Sequence, residues 1–108
     1  MTIFEDRERA FEKRFVRDEE TRFRALALRN RMLGQWAAEQ LGLTGAAADD
    51  YVGEITSKVA DAAGDEVVAV KVRHDLAARG LSVSEQQIRH RMSELLNEAI
   101  VQIRSSGP

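Results

Sequence analysis

The feature that most constrains this chain is the place of its one proline, which is the last residue, Pro108. A proline inside a helix removes a backbone donor and clashes with the turn before it. The residues ahead of Pro108 therefore contain no obligatory helix breaker, and the remaining punctuation is glycine. Gly42, Gly64 and Gly80 fall at spacings that suit helix ends, where a residue without a Cβ adopts the left-handed conformation cheaply. Four helical stretches follow. The first opens at Thr2, where Thr2-Ile3-Phe4-Glu5 has the form of a capping box, and runs to Leu41. Thr44 caps the second, which runs toward Ala63 and ends at Gly64. Asp65 caps the third, ended by Gly80. Ser84-Glu85-Gln86-Gln87 is a further capping box and opens the fourth, which fades near Arg104.

Apolar residues recur at helical spacing inside these stretches. Phe15, Leu26, Leu33 and Ala37 form one stripe, bordered by Phe23, Asn30 and Leu41, with Phe15 and Phe23 better core candidates than Phe4. Ala48, Val52, Ile55, Val59 and Ala62 share a face of the second stretch. Ile88, Met92, Leu95, Ala99 and Ile103 share a face of the fourth. Val68, Val70 and Val72 alternate as a strand would, but a lone strand has no neighbour to satisfy its backbone, so this stretch is assigned to helix. Helices joined by short glycine loops predict an all-α fold, a four-helix bundle.

Residues 5–24 depart from this pattern. They hold seven acidic and seven basic side chains, with opposite charges at helical spacing in Glu5/Arg9, Asp18/Arg22 and Glu20/Arg24. Each such pair stabilises a helix by only about 0.2–0.5 kcal/mol. The apolar surface available is a ridge: Phe4, Phe11 and Phe15 lie within about 40° of one another around a helix. Burying the three is worth roughly 5–9 kcal/mol gross, against about 2–5 kcal/mol for ordering a flexible segment on binding. That balance describes a helix that docks when a groove accepts the ridge. The expected organisation is a charged, mobile N-terminal segment, 1–18, ahead of a helical bundle, 19–108. The competing reading of the ridge is that it extends the bundle's own core.

Bulk properties remove several function classes. The formal net charge is −2 although 31% of residues are charged, which lacks the basic excess of a nucleic-acid binder. There is no cysteine, hence no thiolate nucleophile and no disulfide framework. The N-terminus turns charged by Glu5 without the apolar region of a signal peptide, and no apolar run approaches the about 20 residues of a membrane span. A soluble, cytoplasmic protein is expected.

The residues also resemble a known family. Phe4-Glu5-Asp6-Arg7-Glu8-Arg9-Ala10-Phe11-Glu12-Lys13-Arg14-Phe15, then Asp18-Glu19-Glu20, Phe23-Arg24-Ala25 and the run from Arg29 through Gly34 and Trp36 to Gly42 are similar to the zeta inhibitor subunit of alphaproteobacterial F-type ATP synthase. Tyr51, Lys71-Val72 and Asp75 sit where the family pattern expects similar residues. The resemblance covers essentially the whole chain, strongly up to Gly42 and more loosely beyond. It implies a non-enzymatic inhibitor of ATP hydrolysis, associated with the F1 head at the inner face of the plasma membrane. Its N-terminal helix would insert between alpha and beta subunits toward gamma and block rotation in the hydrolysis direction, while the bundle anchors outside. By motif, the partner-binding residues are Phe4, Phe11 and Phe15 as anchors, with Arg7, Glu8, Arg9, Glu12 and Arg14 around them.

Other constellations carry less. His74 and His90 come from different helices with no metal-binding spacing, and no metal or cofactor is assigned. Gly42-Leu43-Thr44-Gly45 lacks the lysine of a phosphate loop, which leaves only weak nucleotide binding at the helix N-termini of Thr44 and Asp65. The carboxylate pairs Asp49-Asp50 and Asp65-Glu66 are read as helix-dipole partners. Trp36 and Tyr51 are read as packing between the first two helices. The main alternative function is a helix-turn-helix over residues 75–91, whose neighbourhood from Lys71 to Arg91 holds five basic and two acidic side chains. Gln86 falls where that motif needs an aliphatic, which favours a bundle corner; a generic protein-interaction bundle is the remaining alternative.

Overall fold

A computed structural model describes residues 19–60 and 64–106. Among the described residues there are four α-helices and no strand: α1 (Glu19–Gln40), α2 (Gly45–Thr56), α3 (Gly64–Ala78) and α4 (Glu85–Ser106), with a 3₁₀ turn (Ser57–Ala60) after α2. The helix start expected at Thr2 and the mobility expected of residues 1–18 lie outside the described residues.

Two helix ends follow directly from local sequence. Gly42 has φ +74° and Gly80 φ +79°, and each sits in the same pair of bonds. The amide of Leu43 donates to Ala38 and that of Gly42 to Glu39; the amide of Leu81 donates to Leu76 and that of Gly80 to Ala77. This Schellman arrangement satisfies carbonyls that a helix terminus leaves open, and it brings the residue after the glycine back onto the last turn. Leu43 and Leu81 accordingly pack against the core. At the start of α4 the Gln87 amide donates to Ser84 Oγ at 3.1 Å, and the Ser84 amide donates to Gln87 Oε1 at 2.9 Å. The predicted capping box is formed.

The second helix differs from expectation. α2 stops at Thr56 and tightens into the 3₁₀ turn, and Gly64 opens α3 instead of closing α2. Thr44 occupies the position before α2 with extended backbone but makes no side-chain cap bond. The Thr56 hydroxyl donates to Val52 O and that of Ser57 to Glu54 O. Such local side-chain bonds compete with continued helix.

One core joins all four helices. Leu33 and Ala37 from α1, with Leu41 just past its end, meet Ile55 from α2, Val68, Val72 and Leu76 from α3, and Ile88, Met92 and Leu95 from α4. Each aliphatic buried there contributes roughly 1.5–3 kcal/mol before entropy is counted. The alternating valines resolve as helix: Val68 and Val72, four apart, point inward, while Val70 stays 43% exposed. Phe23, expected near the core, is 51% exposed, because the inner face of α1 there is taken by Ala25 and Arg29. At Gly34 α1 and α2 approach closely: a Cβ on it would stand 3.0 Å from Val52 Cα.

Candidate functional site

The eight residues assigned to partner binding, Phe4, Arg7, Glu8, Arg9, Phe11, Glu12, Arg14 and Phe15, lie outside the described residues. Within the described bundle, functional-type side chains gather in three places, each built by helix packing.

The first is internal. Arg29 and Asn30 are consecutive on α1 and both buried, Arg29 to 3% exposure. Arg29 Nε donates to Asn30 Oδ1 at 2.8 Å, and Arg29 Nη2 donates to Asp65 Oδ1 at 2.6 Å. Asn30 Nδ2 in turn donates to the Ile55 carbonyl, in the last turn of α2, at 3.4 Å. The chain of bonds links α1 to the end of α2 and the start of α3. A buried guanidinium is tolerated only when it is paired, so Asp65 serves this pair, beyond the expected helix-dipole role. Asp49 and Asp50 lie beyond the first turn of α2, which holds no acidic residue.

The second cluster is at the surface between α2 and α3. Tyr51 Oη donates to Asp75 Oδ2 at 2.9 Å. Lys71 Nζ lies 3.0 Å from the same oxygen and 2.9 Å from Glu54 Oε2, and 5.4 Å from the centre of the Tyr51 ring. Tyr51 meets Asp75 while Glu54, farther along α2, meets Lys71, earlier on α3, so the two helices run antiparallel. Burial, joined by the hydrogen bond to Asp75, pushes the Tyr51 phenol well above its ordinary value. The Glu54 hydrogen bond leads in raising Lys71, against an opposing effect of burial and with help from Asp75. For Asp75, burial would raise the carboxyl, but the Lys71 and Tyr51 hydrogen bonds together hold it below the usual range. All three shifts favour the hydrogen-bonded ion pair. Tyr51, Lys71 and Asp75, named in the sequence as positions matching the family pattern, are thus one assembly; Glu54 is the member sequence reasoning missed. The i,i+4 spacing of Lys71 and Asp75 was its only local signal.

The third place is the corner where the end of α1 meets the start of α4. The Arg91 guanidinium lies 5.8 Å from the Trp36 ring centre, and Trp36 and Val83 flank an open groove there. Trp36 thus meets a cation from α4 and Tyr51 one from α3, and both rings, expected to pack between the first two helices, lie against the shared core. Arg89 and Arg91 pair with Glu85 and Glu94 on their own helix at 3.7 and 3.5 Å. His74 is 81% exposed at the side chain, with Nδ1 3.7 Å from Asp75 Oδ1, and His90 is exposed. Among the described residues no group of three or more His, Cys, Asp or Glu side chains is placed to hold a metal ion, and no helix is long and apolar enough to cross a membrane.

The family model described as ATPase inhibitor subunit zeta matches residues 1–102. No curated protein and no solved structure matches the chain.

Proposed function

Since the chain belongs to the ATPase inhibitor subunit zeta family, we propose that it inhibits ATP hydrolysis by the F1 head of a bacterial F-type ATP synthase, with residues 1–18 as the inhibitory segment and residues 19–108 as the anchoring body. The observation that carries this reading is the extent of the match: it takes in the charged Phe-ridged segment and the bundle together. Phe4, Phe11 and Phe15 supply apolar anchors on one face, and Arg7, Glu8, Arg9, Glu12 and Arg14 supply charges of both signs for the polar walls of a cleft. Such a rod suits an interface between alpha and beta subunits reaching gamma, where a wedge opposes rotation in the hydrolysis direction. The site of action is the F1 head at the inner face of the plasma membrane. The inhibitor performs no chemistry of its own.

The bundle's polar side chains support that reading. Arg29 and Asn30 are consumed in holding helices together, and the hydrogen bonds of Tyr51, Lys71 and Asp75 stabilise the protonation states they already hold at neutral pH. A general acid or base needs the opposite, a value tuned toward the working pH. The test is the ATPase rate of the organism's own F1 with and without the protein. The full chain lowers it, and a chain lacking residues 1–17 keeps its helical signal but no longer inhibits. Undiminished inhibition by the truncated chain refutes the assignment. Phe11→Ala with Phe15→Ala weakens inhibition with little change in melting temperature; a large melting loss makes those rings part of the bundle core instead.

A further inference from the structure

Leu33, buried in the core cluster, marks the side of α1 that faces the other helices. At 3.6 residues per turn, Leu26, Arg29 and Ala37 lie within about 40° of it. Arg29 and Ala37 are buried and Leu26 is half-buried. On a helix continued back from α1 at the same pitch, Phe15, Phe11 and Phe4 return to that direction, again within about 40° of Leu33. The Phe ridge and the inner stripe of the bundle are thus one stripe in phase. No glycine or proline stands between Thr2 and Leu33, so the sequence supplies no cause for a kink at the junction. Turns added to the end of α1 also need no new nucleus, which a separate helix forms at a statistical weight of roughly 10⁻³.

The junction itself is charged. Between Phe15 and Leu26 the stripe passes through Asp18 and Arg22, opposite charges at i,i+4, and Arg22 is exposed. The core therefore stops before the ridge begins. Trp36 lines a groove with residues from Val83 to Glu94, and Arg29 lines one with Arg89, Met92, Ser93 and Leu96, so α4 runs antiparallel to α1. Continued at the same rise per residue, this pairing brings the end of α4 at Ser106 to about the level of Glu19. On an extended α1, Phe11 and Phe4 would stand about 12 and 22 Å beyond Glu19, past the end of α4.

We propose that the inhibitory segment docks as an extension of α1 held in fixed rotational register with the bundle, so that the body aims the Phe ridge; the inference rests on the inhibitory function proposed above. Three rings that enter one cleft need one orientation. A body held outside the cleft supplies that orientation only through a joint that transmits rotation, and a stiff joint also spares the cost of ordering a loose one on binding. The wall of the ATPase that receives the rings then takes up the stripe where α4 leaves it.

The test changes the register and leaves the rings alone. One alanine inserted between Phe15 and Val16 turns the ridge by about 100° and shifts it by only about 1.5 Å. The same insertion with Arg17 deleted restores the register. Both full-length chains are titrated against the ATPase of the protein's own F1 beside the wild type, and all three are melted. The expected result is a half-inhibitory concentration raised about tenfold or more by the insertion and returned to the wild-type value by the deletion, with superimposable melting curves. An inserted chain that titrates like the wild type overturns the fixed register and leaves the inhibitory function standing. Inhibition that the deletion does not restore overturns it as well, because the composition of the joint then matters and its phase does not. An insertion that lowers the melting temperature assigns the rings to the bundle's own core, again against the proposal. A wild type that does not inhibit overturns both readings.

Discussion

Two polar clusters hold the same bundle together under opposite conditions. At the inner one, Arg29 and Asn30 are sealed between helices and every bond they make substitutes for lost water. At the outer one, Tyr51, Glu54, Lys71 and Asp75 join α2 to α3 at a partly buried surface, where water reaches much of what is left when a partner is removed. The bond lengths overlap, 2.6–3.4 Å at the inner cluster and 2.9–3.0 Å at the outer one. What differs is the group left behind: a desolvated donor in the first case, a hydrated one in the second. The lesson is that environment, more than bond geometry, sets how much each cluster matters.

The largest expected effect follows from Asn30→Ala. It strips an acceptor from Arg29 Nε and a donor from the Ile55 carbonyl and leaves a void, so unfolding free energy should drop by about 2–4 kcal/mol in urea titrations followed by circular dichroism. A loss below about 1 kcal/mol would place the inner cluster on a par with a surface pair and break the comparison. Asp65→Asn comes next, at about 1–2 kcal/mol. Its side chain is 60% exposed, so solvent screens part of what the buried arginine loses.

At the outer cluster the effects shrink. Tyr51→Phe removes one hydrogen bond from a partly exposed carboxylate and should cost about 0.5–1.5 kcal/mol. It also has a signature in pH. Tyr51 and Lys71 are raised in the folded protein, so their contribution is complete below their unfolded values near about pH 10 and is lost as pH rises through the folded ones. Asp75 is lowered, so its contribution is present above the ordinary carboxylate range, about pH 4, and is lost as acid titrates the folded group. Thermal melts across pH should therefore show a plateau falling at both ends, with the alkaline fall shallower in the phenylalanine variant; an unchanged alkaline limb contradicts the Tyr51 account. The smallest change is Glu54→Gln, under about 1 kcal/mol and fading further in high salt, measured by the same melts.

The elements that were legible in the sequence are those whose physics is local. Gly42 and Gly80 terminate helices because a residue without Cβ enters the left-handed region at low cost, and the bonds that follow involve only neighbours in sequence. The Ser84–Gln87 capping box is equally self-contained. Phe23 shows where that reasoning stops. Its spacing suits a stripe, but at that end of α1 the buried positions are Ala25 and Arg29, and Phe23 stays at the surface. Gly64 fails for a related reason: with α2 shortened by local hydroxyl bonds, the glycine starts a helix instead of ending one.

The amino-acid sequence by itself determined that the described chain is helical, where two of its turns fall, and through its motif which family it joins, since propensity, capping and pattern act over a few residues at a time. Only the tertiary structure decided that Arg29 belongs inside, that Asp65 answers it, that Tyr51, Glu54, Lys71 and Asp75 form one assembly, and that Val67 and Val70 face outward. Those outcomes depend on which surfaces meet across sequence separations of about 17 to 36 residues. Desolvation, which gives each contact its weight, exists only after the helices have closed on one another.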